Sequence, residues 1–380
     1  MKYFLTGVET NNKGAELMLY AILREIERKD PNGVVYIEKK NIKQGRKYVR
    51  TNIRLIVLER FSEKIVNTFR INGILRRLHI PQIEFGYEEI PIIDYVIDGS
   101  GLHFTDQMTR AELLPYWNHV FSAANKYNAK IVFLPQGFGP IEKQATKDAV
   151  KLLFDKADIV FAREQESYDM LKKCGVANME KVKVSTDFTA TVEGVFPEKY
   201  TNLRSGVCVI PNMQMINKGV LTRESYIRYI KTIVQISQKS GKIVYLLNHE
   251  GKADEEFLNE CRAKLPASIA VVTGLDALET KGLISSAYLV ITSRFHGLAS
   301  ALNSCVPALA TSWSHKYRCL YEDYSLPSGV LTLSNMAEDT KMIEDLLDDN
   351  NNQKIRKHLQ ASVPKIKKQI SEMWTTVWNL

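Results

Sequence analysis

The chain has 380 residues, 45% hydrophobic and 25% charged, the balance of an ordinary globular protein whose length suits two domains. No apolar run approaches the ~20 residues that span a bilayer, the opening "MKYFLTGVE" reads as a strand and not as a leader, and five scattered cysteines without a Cys-x-x-Cys spacing read as free thiols, so a cytoplasmic protein is expected. The net charge of +8 is a local property: residues 39–80 hold twelve Lys/Arg against two acids, and the other positions together carry a slight acidic excess.

In chain order, the first half offers strands at "YFLTGV", "VVYIE", "DYVIDG", "KIVFLPQ", "DIVFARE" and "VKVSTD", with helices between them at 14–28, 107–127, 143–156 and 166–173. The second half repeats the pattern with "GVCVIPN", "KIVYLLNHE", "IAVVTG", "YLVITS" and "VPALATS", and with helices near 222–239, 253–264, 276–286, 297–304 and 338–348. Short strands rich in Val and Ile, alternating with amphipathic helices, predict parallel sheets covered on both faces. The turn-rich "TVEGVFPEKYTNLRSG" (191–206) is the expected boundary. The predicted organisation is an α/β protein of two doubly wound, Rossmann-like domains, residues 1–195 and 203–360, facing a cleft at the carboxyl ends of their strands. A helical tail, 361–380, is expected to pack back on the first domain.

Motifs concentrate at those strand ends. After the first strand, "TGVETNNKGAELML" turns sharply at Gly7, Asn12 and Gly14 into a helix whose free N–H groups suit an anion or a sugar hydroxyl; read as plain structure, the same residues only turn the chain. "DGSGLHFTDQ" places Asp98 and Ser100 at another exit, with His103 and Asp106 where an acceptor sugar would meet them or where a loop merely closes. "PQGFGP" adds Gln136 to the next exit, and "FARE" places Arg163 at a further one, either paired with a neighbouring glutamate or free to grip an anion. "ITSRFHG" is the strongest local signal. Residues two apart in an extended stretch share a face, so Arg294 and His296 point together from the strand exit, ahead of Gly297 and a small-residue helix. The fixed cation lowers the imidazole's pKa, and a bound anion reverses that and allows His296 to act as a general acid. Lys316, with His315 beside it, closes the series after the next strand. The sequence has no Asp-x-Asp, no His/Cys cluster with metal spacing and no Gly-x-Ser-x-Gly, so neither a metal nor a serine triad is expected.

Taken in order, "NNKGAEL", "DGSG", "PQGFGP", "AREQES", "STDF" and "SRFHGLASAL" resemble the polysaccharide pyruvyl transferase family over most of the chain. The resemblance implies a glycosyltransferase B-like fold, phosphoenolpyruvate as co-substrate with no cofactor, and a sugar of a cell-surface polysaccharide or its lipid-linked precursor as acceptor. It implies a pyruvate ketal as product. By position it implies His296 as the catalytic residue, with Arg294, Gly297, Lys316 and, less closely, Arg163 on the donor. It leaves Asn12, Gly14, Asp98, Ser100, His103, Asp106, Gln136 and Asp187 for the acceptor or the cleft, with the acceptor base near Asp98, Asp106 or Asp187. Ala15 stands where the family commonly has an acid, so no carboxylate role is carried to that turn.

Within the basic stretch, Phe61, Ile65 and Phe69 recur at spacing four among Lys and Arg. Such a segment suits peripheral contact with an anionic inner membrane surface, a glycan groove, or simply a solvated helix face. Its cations lie among aliphatics and not stacking aromatics, so nucleic acid is not an expected partner. Two other readings remain: a nucleotide-sugar glycosyltransferase on the same architecture, disfavoured because residues 201–380 contain no Glu-x7-Glu, and a non-catalytic glycan-binding protein.

Overall fold

A strand that is covered by helices on both sides needs apolar residues at every position, and "YVID", "IVFA", "VCVI" and "LVIT" are each buried throughout. The computed structural model describes residues 1–38, 41–42, 53–56, 90–107, 110–311 and 316–380. In the first lobe β1 (Lys2–Thr6) leads to α1 (Lys13–Lys29), β2 (Val34–Glu38), β3 (Ile53–Ile56), β4 (Tyr95–Asp98), α2 (Arg110–Tyr127), β5 (Lys130–Gln136), α3 (Gln144–Asp155), β6 (Ile159–Ala162), α4 (Gln165–Lys173) and β7 (Val182–Val184). In the second, β8 (Val207–Ile210) leads to α5 (Gln214–Asn217), α6 (Arg223–Lys239), β9 (Val244–Leu247), α7 (Gly251–Ala263), β10 (Ala270–Val272), α8 (Ala277–Ser285), β11 (Leu289–Thr292), α9 (Phe295–Asn303), β12 (Ala308–Thr311), α10 (Lys316–Asp323), β13 (Val330–Leu331) and α11 (Met336–Leu347). A 30-residue helix, α12 (Asp349–Trp378), ends the chain.

The strand pairings within the two sheets are all parallel, in the order β3-β2-β1-β4-β5-β6-β7 and β10-β9-β8-β11-β12-β13. Each sheet reverses its winding direction beside its own first strand, the doubly wound order. The helices start where the side chains satisfy their first N–H groups: Asn12 caps α1, Thr222 caps α6, and Asp276 and Glu279 form a reciprocal capping box on α8. The sequence reading lacks β3, β13, α5 and α10, all of them short. Most of the basic stretch 39–80 lies outside the described residues, as does His315. No described helix is long and apolar enough to cross a membrane.

The lobes are joined by packing and not only by covalent connection. One buried apolar cluster takes in Leu5 and Leu17 of the first lobe, Ile284 and Leu298 of the second, and Trp374 of α12. Asn352, near the start of α12, donates to the backbone of Tyr288 beside β11. At the far end the Trp378 indole donates to Glu25 of α1 at 2.8 Å and packs edge-on against Tyr3 and Tyr95. Buried Lys281 of α8 donates to the carbonyl of Thr189 in the first lobe at 2.9 Å, and burial pushes its ammonium down to about 7. Beside it the backbones touch. A Cβ on Gly282 would lie 2.1 Å from the Val195 carbonyl oxygen, and one on Gly194 would lie 2.3 Å from the Gly282 nitrogen.

Gly282→Ala therefore sets the helix preference for alanine, about 1 kcal/mol in its favour, against a collision with backbone that cannot turn aside. We expect a net loss of roughly 1–3 kcal/mol, read as a lower midpoint in thermal unfolding. An unchanged or higher midpoint would show that the junction yields.

Candidate functional site

Winding reversal leaves a crevice at the carboxyl end of each sheet, because the connections on either side of the first strand depart in opposite directions. The crevice between β1 and β4 and the crevice between β8 and β11 open onto one cleft of about 450 Å³. The first lobe contributes Glu9 and Asn12 after β1, Ser100 and His103 after β4, and Arg163 after β6. The second contributes Asn212 after β8, His249 and Glu250 after β9, Arg294 and His296 after β11, and Lys316 at the start of α10.

Two of the cations share an aromatic ring. The Arg163 guanidinium carbon lies 4.1 Å from the Phe295 ring centre and the Lys316 Nζ lies 5.4 Å from it. Arg163 is buried, with Glu164 at 3.6 Å and Asp187 at 3.8 Å. Lys316 has no carboxylate within ion-pair distance among the described residues. Burial, reinforced by Arg163 and Arg294 and opposed by Glu164, pushes its ammonium down to about 8. Arg294 is differently placed. Its Nε and Nη2 bond Asp254, the former at 3.1 Å, and its Nη1 pairs with Glu250. Burial lowers the guanidinium to about 10 and raises the Asp254 carboxyl to about 7. The direct contact of the two groups opposes both shifts, so the ion pair is the state that holds at neutral pH.

His296 occupies the first turn of α9. Its ring lies so close to α1 that a Cβ on Gly14 would meet Nδ1 at 2.1 Å, which is why the first turn of that helix needs glycine there. Its Nε2 is 3.5 Å from Asp187, whose other oxygen accepts from Thr189. Burial lowers the imidazole to about 4; Asp187 pulls upward, while Arg163 and Lys316 add to the downward shift. The imidazole is therefore neutral at neutral pH.

Of the residues nominated from sequence, Asn12, Ser100, His103, Arg163, Arg294, His296 and Lys316 line the cleft. The others stand behind it or away from it. Asp98 is buried and accepts from Ser100 and from Gln136 at 2.9 Å, so this trio ties neighbouring strand exits together. Burial raises Asp98 to about 6. Asp106 accepts from the backbone of Glu142 and Lys143 ahead of α3. Gly297 lets α9 pack on β11, where a Cβ would meet Thr292 Oγ1 at 2.6 Å. Asp187 touches the site through His296 and Arg163. Asn12 caps α1 through its oxygen and donates its amide to Glu250 at 2.7 Å, across the cleft. Sequence reasoning did not single out Glu9, His249, Glu250, Asp254 or Phe295. The "NHE" at the end of the β9 run was the available signal, a cluster of polar groups at a strand exit.

A family model described as polysaccharide pyruvyl transferase matches residues 12–315. No curated protein matches the chain. Among solved structures, the chain is similar to a putative UDP-N-acetylglucosamine 2-epimerase from Listeria monocytogenes, at 16% identity over 99% of this chain and 95% of that one, with a TM-score of 0.60. A UDP-GlcNAc 2-epimerase from Neisseria meningitidis bound to UDP-GlcNAc is 10% identical over the whole of both chains, also at 0.60. A trehalose-6-phosphate synthase is 9% identical over 100% of this chain and 99% of its own, at 0.59. At such identities the likeness shows the fold, the two-domain glycosyltransferase B architecture.

The lowered His296 has a consequence for stability. Its folded value lies below the ordinary ~6.5, so on acidification the unfolded chain takes up the proton first, and stability falls as pH drops from about 6.5 toward 4. Relative to His296→Gln, the unaltered protein should lose on the order of 2 kcal/mol more between pH 6.5 and 4.5. Thermal unfolding of both proteins across that range checks it. Parallel losses would mean that the imidazole is not held neutral.

Proposed function

The chain belongs to the polysaccharide pyruvyl transferase family, and from that premise we propose that it transfers pyruvate from phosphoenolpyruvate to two hydroxyls of one sugar, forming a ketal and releasing phosphate. The acceptor in this reading is a sugar of a cell-surface polysaccharide or of its lipid-linked precursor. The observation that carries it is the grouping of Arg163, Lys316 and Arg294 around His296 in a cleft between two lobes. Phosphoenolpyruvate bears a carboxylate and a phosphate, and one buried and two half-buried cations offset that charge far better than fully solvent-exposed ones would.

The chemistry follows from the proton on His296. With the cleft empty, the imidazole is neutral. A bound polyanion reverses the local field, raises the imidazole and loads it with the proton it needs. His296 then protonates the methylene carbon, leaving C2 electrophilic for the first hydroxyl. The second hydroxyl displaces phosphate. Of the two hydroxyl protons, one replaces that lost from His296 to the new methyl group and the other leaves with phosphate. Asp187, 3.5 Å from Nε2, favours the imidazolium before transfer. Arg163 and Lys316, both beside the Phe295 ring, stabilise the departing phosphate.

His296→Ala should remain folded and lose at least a thousandfold in transfer, measured as inorganic phosphate released from phosphoenolpyruvate with a panel of methyl glycosides and by the mass of the pyruvylated product. Turnover near that of the unaltered enzyme would remove His296 from the chemistry. Lys316→Ala should weaken donor use at least tenfold in kcat/KM. Phosphoenolpyruvate should protect the protein against thermal unfolding where UDP- and GDP-sugars do not. The opposite order would favour a nucleotide-sugar glycosyltransferase, and protection by glycans alone a binding protein.

A further inference from the structure

Arg294 carries two carboxylates, and they are not equivalent. Asp254 is 4% exposed, bonds the guanidinium from behind through Nε and Nη2, and is itself anchored by the backbone N–H of Met213 at 2.9 Å. Glu250 is 30% exposed, lines the cleft, and reaches Nη1 at the end of a longer side chain. Its other oxygen accepts from the Asn12 amide of the opposite lobe. Asp254 fixes the arginine, whereas Glu250 occupies the direction in which Arg294 faces the cavity.

We propose that Glu250 is a resident carboxylate that holds Arg294 while the cleft is empty and is exchanged for the carboxylate of the incoming donor. Glu250 is thereby a specificity-determining residue. A ligand bearing its own carboxylate replaces the contact it breaks. A ligand with phosphate alone, or a neutral glycan, must either leave Glu250 in place or strand a half-buried guanidinium with one partner fewer, which is costly. Lys316 and Arg163 make no comparable demand, since Lys316 has no carboxylate partner among the described residues and the contacts of Arg163 are long. The carboxylate end of the ligand therefore belongs at Arg294, and the phosphate end at Arg163 and Lys316. This inference rests on the donor reading given above.

The test separates the two ends by binding alone, without acceptor or turnover. Dissociation constants of phosphoenolpyruvate, pyruvate and inorganic phosphate are measured by calorimetry for the unaltered protein and for Glu250→Gln, which keeps the oxygen that accepts from Asn12 and removes the competing charge. Phosphoenolpyruvate and pyruvate should each bind at least fivefold tighter to the variant, with inorganic phosphate changed less than twofold. Equal gains for all three would reduce Glu250 to a general repulsive charge and overturn the exchange, as would no gain for any. Glu250→Ala provides the same comparison should the glutamine variant be unstable. If the unaltered protein binds phosphate and neither phosphoenolpyruvate nor pyruvate, and the variant does likewise, the donor reading itself fails, an outcome distinct from a variant that binds phosphoenolpyruvate no better than its parent.

Discussion

Parallel strands cannot be joined by tight turns, and the right-handed crossovers they require force each lobe to open a crevice where its winding reverses. Everything chemical in this protein is arranged around two such openings set face to face. Most of the residues that line the cleft come from short segments that leave strands, with Ala15 and Met18 added from α1. The sheet holds those strand ends in register, and the Asp98–Ser100–Gln136 cluster in the first lobe and the Tyr226–Ser293–Asn212 cluster in the second tie the exits to one another. A rigid frame thus carries a polar cleft whose side chains need little reorganisation.

The cleft is not simply positive. Arg294 is matched by Glu250 and Asp254, Arg163 is flanked at longer range by Asp187 and Glu164, and Lys316 feels Glu164 with no carboxylate within ion-pair distance among the described residues. Burial makes each of these charges costly, so compensation is needed for the empty protein to fold. The degree of compensation grades the cations from fully to barely occupied. His296 sits in the middle of that gradient, and its proton affinity follows from whatever anion is present.

Much of this was legible in the sequence because it depends on local patterns. Strand runs such as "YLVIT" and the helices between them need only their own residues to be read. Arg294 and His296 were legible as cleft residues from their place at a strand exit, but the extended spacing expected to put them on one face is broken, because α9 begins at Phe295 between them. The short β13 and α10 carry too few residues for a period to show. Asp98 and Gln136 looked like site residues because polar groups at strand exits usually face a ligand, yet here they bond to each other. Glu250 and Asp254 escaped notice for the opposite reason. Their partner, Arg294, is some forty positions away, and only the fold brings them together. The grouping at Phe295 likewise needed three segments to meet.

The contact between Gly194 and Gly282 bears on how substrates enter. Main chain meets main chain there without any side chain to serve as a bearing, and the apolar cluster beside it continues through both lobes into α12. Such a weld resists shear. Any opening of the cleft must therefore break the Asn12–Glu250 contact that spans it while this junction stays closed.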